Sequence, residues 1–231
     1  WLTSIESSAN CIYLVGDIFD FWFEYKHVIP KGFSRLQGKI AALTDNGIPV
    51  HFFYGNHDMW MFEYFKKELG VEIHSDDIQV SIGSKKLFIA HGDGLGKGDK
   101  GYKFIKKIFR SFFCQWIFAR LHPNFAFSVA NFFSKTSRSK NGPRDKQFNG
   151  IENEWLYNYS KELNTKNNFH YFIYGHRHLP LKITFDTSVY FNLGEWITYQ
   201  TFGKFDGENF ELLQWKNGKE QPYKTLAEND V

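Results

Sequence analysis

The chain has 231 residues, 42% of them hydrophobic and 23% charged, with a formal net charge of +3. That is enough apolar material for one globular domain with a sizeable core, and it excludes disordered, collagen-like and disulfide-scaffold chains. No apolar run reaches the roughly 18 residues of a membrane span and no signal segment opens the chain, while Cys11 and Cys114 lie far apart, so a reducing, cytoplasmic setting is expected.

Trp1 to Ser8 reads as the end of a helix already under way, so the chain is expected to begin inside a longer protein. Four short apolar runs then end alike: Cys11 to Val15 before Gly-Asp, Val50 to Tyr54 before Gly-Asn-His-Asp, Leu87 to Ala90 before His-Gly-Asp, and Phe172 to Tyr174 before Gly-His-Arg-His. Rich in Val, Ile, Tyr and Phe, these runs predict buried strands that deliver polar residues at their carboxyl ends. Between the first two, Leu36, Ile40 and Leu43 recur at helical spacing and stop at Asn46-Gly47, a C-terminal cap. Met59 to Leu69 predicts a second helix, and Ile78 to Ile82, Gly83-Ser84 and Leu87 onward a hairpin.

From Lys100 to Arg144 there are ten basic residues and no Asp or Glu, which leaves 18 cations against 25 anions in the rest of the chain. The same stretch holds eleven aromatic residues, namely Tyr102, Trp116 and nine Phe. Tyr102, Ile105, Phe109, Phe112, Phe113 and Trp116 follow helical spacing beside a stripe of Lys100, Lys103, Lys107 and Arg110. A helix packed on the core accounts for that spacing, but not for ten cations without one anion. The composition points to an anionic amphiphile, a membrane surface or nucleic acid, and nine Phe at mostly helical spacing suit a greasy groove better than a base-stacking sheet. Further on, Ile151, Trp155, Leu156 and Tyr159 mark a helix, Val189 to Leu193 a strand, and Phe205 to Phe210 a hairpin turning on Asp206-Gly207. Strands alternating with helices, plus late hairpins, make this an α/β chain with mixed sheets.

In open α/β sheets ligands bind beyond the carboxyl ends of the strands, so four strands ending in ionisable residues suggest one convergent site of Asp17, Asn56, His91, His176 and His178. One Asp can bridge two cations, Asn adds a neutral oxygen, and His176 and His178 can reach neighbouring ions. The mixed nitrogen and oxygen set suits Mn, Fe or Zn. Taken singly, each motif also fits a tight turn or a helix cap; their joint occurrence in order argues for chemistry.

Together, Gly16-Asp17-Ile18-Phe19-Asp20, Gly55-Asn56-His57-Asp58, His91-Gly92-Asp93 and Gly175-His176-Arg177-His178 resemble the calcineurin-like metallophosphoesterases over nearly the whole chain. Within that family the run Gly16 to Trp22, the long aromatic insertion and the size look like the branch that hydrolyses UDP-2,3-diacylglucosamine in lipid A synthesis. The tract from His91 through Asp99 to Tyr102 resembles its Bacteroidetes-type members. The resemblance implies an α/β sandwich of two mixed sheets flanked by helices, a single domain over 1–231 with a helical lid inserted at about 97–145. It implies two divalent metal ions, Mn2+ foremost, with Asp17 as bridge, Asn56, His91 and His176 on one ion and His178 on the other. The family's Asp-x-His motif on a first strand would precede Trp1, so one ion's shell is expected to be incomplete within this chain.

The reaction so implied is attack of a metal-bound hydroxide on phosphorus, giving UMP and 2,3-diacylglucosamine 1-phosphate. Asp17 and His57 would be catalytic, with His57 as donor or leaving-group acid and Asp58 or Asp20 orienting its ring. Family substrate contacts map to Asp99 and Tyr102, and to Ser137, Arg138 and Lys140, with Trp22 as a cleft or core aromatic. The expected partners are a UDP-linked diacylated glucosamine lipid and an anionic membrane surface, not nucleic acid, with the enzyme cytoplasmic and peripheral to the inner membrane. A phosphoesterase acting on another mono- or diester, and a non-catalytic scaffold with a degenerate metal site, are the competing readings.

Overall fold

A computed structural model describes residues 1–97, 100–145 and 147–225, and of residues 135 and 137–145 the backbone alone. The chain forms two compact units, Trp1–Asp76 with Asp99–Ser139, and Asp77–Gly98 with Lys140–Val231.

The first unit is built on a parallel sheet. After a short α1 (Leu2–Ile5), β1 (Ile12–Leu14), β2 (Val50–Phe53) and β3 (Glu72–His74) pair in sequence order, joined through α2 (Ser34–Asp45) and α3 (Tyr64–Leu69). Side chains alternate across a strand, so Ile12, Leu14, Val50 and Phe52 share one face and bury themselves against Ile40 and Leu43 of α2 and Phe65 and Leu69 of α3. Trp22 belongs to this core: it is fully buried and packs against Phe19 and Phe65. Side chains of this size contribute about 1.5–3 kcal/mol each on burial. The Asn46-Gly47 stop to α2 is observed, with Gly47 at φ 78° and its N–H on the Thr44 carbonyl.

The helix expected over 59–69 starts late, at Tyr64. Met59, Trp60 and Met61 are instead buried, with Phe23 bridged to Trp60 in extended pairing. The Glu24 carboxylate then caps α3 by accepting from the N–H groups of Glu63 (2.8 Å) and Tyr64 (3.1 Å).

The basic aromatic stretch contributes α4 (Lys100–Phe109), α5 (Phe112–Phe118) and α6 (Pro123–Asp145). The helical spacing from Tyr102 to Trp116 is interrupted at Arg110-Ser111. There the Ser111 hydroxyl accepts from Cys114 N–H at 3.3 Å to start α5, and the Arg110 guanidinium reaches Asp76 at 3.2 Å. No helix among the described residues is long and apolar enough to cross a membrane.

The second unit holds a mixed sheet in the order β4-β5-β6-β8-β7: β4 (Ile78–Ile82), β5 (Lys85–Ala90), β6 (Tyr171–Tyr174), β7 (Pro180–Phe185) and β8 (Ser188–Leu193). β5, β6 and β8 run parallel, while β4 and β7 are antiparallel edges. α7 (Trp155–Asn167) lays Leu156 and Tyr157 on the core with Phe88, Phe172, Tyr174 and Tyr190. An antiparallel sheet follows, β9 (Thr201–Phe205), β10 (Phe210–Lys216) and β11 (Lys219–Pro222). Its first turn is the expected one, with the Asp206 carboxylate accepting from Glu208 and Asn209 N–H. Mixed sheets with helices make this an α/β fold, as the residue pattern predicts.

Candidate active site

In the first unit, β1 and β2 are parallel with Leu14 opposite Phe52, so both chains leave the sheet at the same edge. Gly16 (φ 77°) and Asp17 (φ 53°) turn there in consecutive left-handed conformations, which an Asp tolerates at a modest cost. The Asp58 carboxylate, fully buried, holds that turn. Its Oδ1 accepts from the N–H groups of Gly55 (2.8 Å) and Asp17 (3.2 Å), and its Oδ2 from those of Ile18 (2.8 Å) and Phe19 (3.3 Å). Asp17 Oδ1 in turn accepts from the N–H of His57 at 2.8 Å. The loops touch closely enough that a Cβ on Gly55 would lie 2.1 Å from Asp17 Oδ1, so only glycine fits. Asn56 and His57 sit on this edge with Asp17.

His57 Nδ1 lies 3.1 Å from the backbone carbonyl of Asp20 and 3.3 Å from the hydroxyl of Ser134, a buried residue of α6. Of the two carboxylates expected to orient His57, Asp20 thus presents its carbonyl oxygen to the ring, and Asp58 buckles the two loops. Sequence reasoning did not reach Ser134, since a single serine in a helix carries no mark of its tertiary neighbour.

In the second unit, β5 and β6 are parallel with Ala90 opposite Tyr174, so His91 and the Gly175-His176-Arg177-His178 turn share an edge. The His91 carbonyl accepts from Gly175 N–H at 3.0 Å, and the buried amide of Asn192 donates to the Gly175 carbonyl at 2.6 Å. His176 has φ 61°, an uncommon conformation for a non-glycine residue and of the kind that tertiary contacts hold at functional sites. Its ring stands edge-on to His91, 5.2 Å between centroids, and edge-on to Trp155 at 6.2 Å. His91 is buried and His178, two residues beyond His176, is half-buried.

Arg177, between the two histidines, is structural. It is buried, its Nε donates to Glu154 Oε1 at 2.8 Å, and its terminal nitrogen reaches the Gln147 carbonyl at 2.6 Å. Burial pushes the Glu154 carboxyl above its ordinary value while the Arg177 charge pulls it back. That buried pair anchors the turn that carries His176 and His178.

Tyr102 lies half-buried on α4. Asp99 lies outside the described residues, as do the side chains of Ser137, Arg138 and Lys140. The insertion helices around them are unusual: α4 and α5 bury no residue fully, and Phe112 and Phe113 are 80% and 69% exposed. Phe104, Ile105, Trp116, Phe125, Phe132 and Phe133 are exposed as well. The segment is nevertheless fixed to its unit, because Trp60 Nε1 donates to the Phe109 carbonyl at 2.8 Å and Phe118 packs on Phe21, Phe23 and Trp60.

Comparison with known proteins gives these edges their chemistry. The family model for calcineurin-like phosphoesterase matches residues 1–180, which include all four strand-end motifs. The chain belongs to the calcineurin-like phosphoesterase family. It is 36% identical over 225 residues to the UDP-2,3-diacylglucosamine hydrolase of Porphyromonas gingivalis, covering 92% of this chain and 86% of that one. With the UDP-2,3-diacylglucosamine hydrolase of Proteus mirabilis it shares 28% over 211 residues, 90% of this chain and 86% of the other. Among solved structures, GAP50 of Plasmodium superposes with a TM-score of 0.43 at 11% identity, covering 97% of this chain and 82% of that one. As a calcineurin-like phosphoesterase the chain is a metal-dependent hydrolase, and the carboxylate, amide and imidazole groups at the strand ends are of the types that hold divalent ions.

Proposed function

We propose that this chain hydrolyses the pyrophosphate bond of UDP-2,3-diacylglucosamine, releasing UMP and 2,3-diacylglucosamine 1-phosphate for lipid A synthesis. The observation that carries the reading is the 36% identity with the P. gingivalis UDP-2,3-diacylglucosamine hydrolase over 92% of this chain. The insertion supports it independently. Exposed phenylalanines beside a run of lysines and arginines suit acyl chains attached to a diphosphate, whereas a small soluble ester gives that surface no task.

In this reading Asp17, Asn56, His91, His176 and His178 hold two divalent ions; their mixed nitrogen and oxygen donors suit Mn, Fe or Zn, and the family resemblance puts Mn2+ foremost. Bound there, such ions polarise phosphoryl oxygens and lower the pKa of water. The chain itself supplies the proton chemistry at His57. A carbonyl oxygen can only accept, so the Asp20 carbonyl 3.1 Å away fixes the proton on Nδ1. That leaves Nε2 to donate to a phosphoryl or leaving-group oxygen when the ring is charged. Tyr102, Asp99, Ser137, Arg138 and Lys140 contact substrate from a lid at about 97–145. The same lid seats the enzyme on the anionic cytoplasmic face of the inner membrane.

The test is to incubate the protein with UDP-2,3-diacylglucosamine and Mn2+ and identify the nucleotide released. UMP is expected; UDP would mean that the link between sugar and diphosphate breaks instead and the reading is wrong. His57→Ala should retain its metal and lose about 10²-fold or more in turnover.

A further inference from the structure

We propose that the first unit carries a second, separate cation site, formed by His51, Glu72 and His74 on the face of the parallel sheet opposite α2 and α3, and suited to a late first-row divalent ion such as Zn2+. It is independent of the hydrolase reading and uses none of the strand-end residues.

Strand register assembles it. His51, like Phe53, points away from the core formed by Val50 and Phe52 on β2, and it lies directly opposite Glu72 of β3. Two residues along β3, His74 returns to the same face. His51 Nδ1 is 2.9 Å from His74 Nε2 and 3.4 Å from one Glu72 oxygen, while the other Glu72 oxygen is 3.6 Å from His74 Nε2. Donors about 2.0–2.2 Å from a common ion sit roughly 2.9 Å apart when octahedral and about 3.4 Å apart when tetrahedral. The 2.9 and 3.4 Å separations match those two values, and the 3.6 Å one, made by the second Glu72 oxygen, lies just beyond them.

A proton shared by the two imidazoles would account for the 2.9 Å contact alone. It would leave Glu72 short of a hydrogen bond to either ring; a modest tilt of the two rings, whose centroids are 5.1 Å apart, would instead let one cation take a donor from each of the three residues. The rings are also held in place: His51 stacks on Tyr13 at 4.7 Å and 12°, and His74 lies against Phe53 at 5.0 Å. Both histidine side chains are mostly buried, at 16% and 14% exposed, but Glu72 is 66% exposed and leaves a route for the ion and for water as a further ligand. Two imidazoles and one carboxylate are a donor set that zinc accepts and that calcium or magnesium, which favour oxygen, does not. An ion there would tie edge strand β3 to β2, the strand that leads into Gly55-Asn56-His57.

The experiment is equilibrium dialysis of the chelator-stripped full chain against Zn2+, comparing wild type with His74→Gln and Glu72→Gln, with imidazole 15N spectra recorded alongside. Wild type is expected to bind one more zinc per chain than the H74Q variant, and the E72Q variant to bind that ion roughly tenfold more weakly or worse. The ring nitrogens of His51 and His74 should shift with that equivalent. Glu72 is exposed, so E72Q remains a test if H74Q fails to fold. Equal zinc stoichiometry and affinity in wild type and the folded variants, with unmoved ring signals, would overturn the site and leave a hydrogen-bonded histidine pair.

Discussion

Gly55 and Asp58 show how much of the site edge rests on single atoms. Asp58 gathers four backbone N–H groups from two loops about forty positions apart in the chain, and Gly55 lets those loops meet. In Gly55→Ala the new Cβ would lie 2.1 Å from the Asp17 carboxylate and 2.3 Å from its backbone nitrogen, and no side-chain rotation relieves the second contact. The expected outcome is a lower urea midpoint, by an overpacking cost of about 1–3 kcal/mol, together with loss of turnover, since Asp17 must move. A G55A variant with wild-type midpoint and turnover would show that the loops do not need this approach. The Gly-Asn-His-Asp motif was legible in the sequence as a strand-end turn. The roles within it were not, because the groups that Asp58 serves are distant in sequence, and nothing local distinguishes a loop buckle from a residue orienting His57.

Elements with strong local signals formed as the residue pattern predicts: the strands before each motif, α2 with its Asn46-Gly47 stop, and the Asp206-Gly207 hairpin. α3 is shorter than its helical periodicity, since Met59, Trp60 and Met61 gain more from burial with Phe23 and the core than from one further helical turn. Its start is set from outside by Glu24, whose carboxylate satisfies two N–H groups that a helix leaves open. Glu24→Ala is therefore expected to destabilise the chain by about 1 kcal/mol, read as a lower urea midpoint at unchanged slope; no change would mean that water caps the helix equally well. β3 and β11 escape sequence reading because they are short and polar or half-exposed, and take their form from pairing with a neighbour. β7 has the alternation of a strand, with Leu181, Ile183 and Phe185 buried, but Pro180 at its head reads as a breaker.

Across the whole molecule, charge and apolar surface are segregated. Residues 100–144 combine ten cations with eleven aromatic residues, and among the described side chains much of that apolar area is left in water. Exposure on this scale costs stability unless something covers it. Vesicles containing an anionic phospholipid should therefore bind the protein, less as salt is raised. Replacing Phe112 and Phe113 together by Ala should weaken that binding by about 10²- to 10⁴-fold at any salt, from about 1.5–3 kcal/mol for each lost side chain. Both are exposed, so thermal unfolding serves as the control for folding. Vesicle binding that ignores the double substitution would mean that the aromatic face serves something other than lipid.

The sequence by itself determined which residues stand at the strand ends, because each follows a run of three to five largely apolar residues that can do little but form a buried strand. It also determined that one segment is both basic and aromatic, a property of composition that needs no coordinates. Only the tertiary structure decided that Trp22 is core, that the insertion's phenylalanines stay exposed, that Ser134 meets His57, and that Arg177 locks onto Glu154. Each of these is a contact or its lack between segments far apart in the chain. Periodicity fixes which way a side chain faces on its own element and says nothing of what will be waiting there.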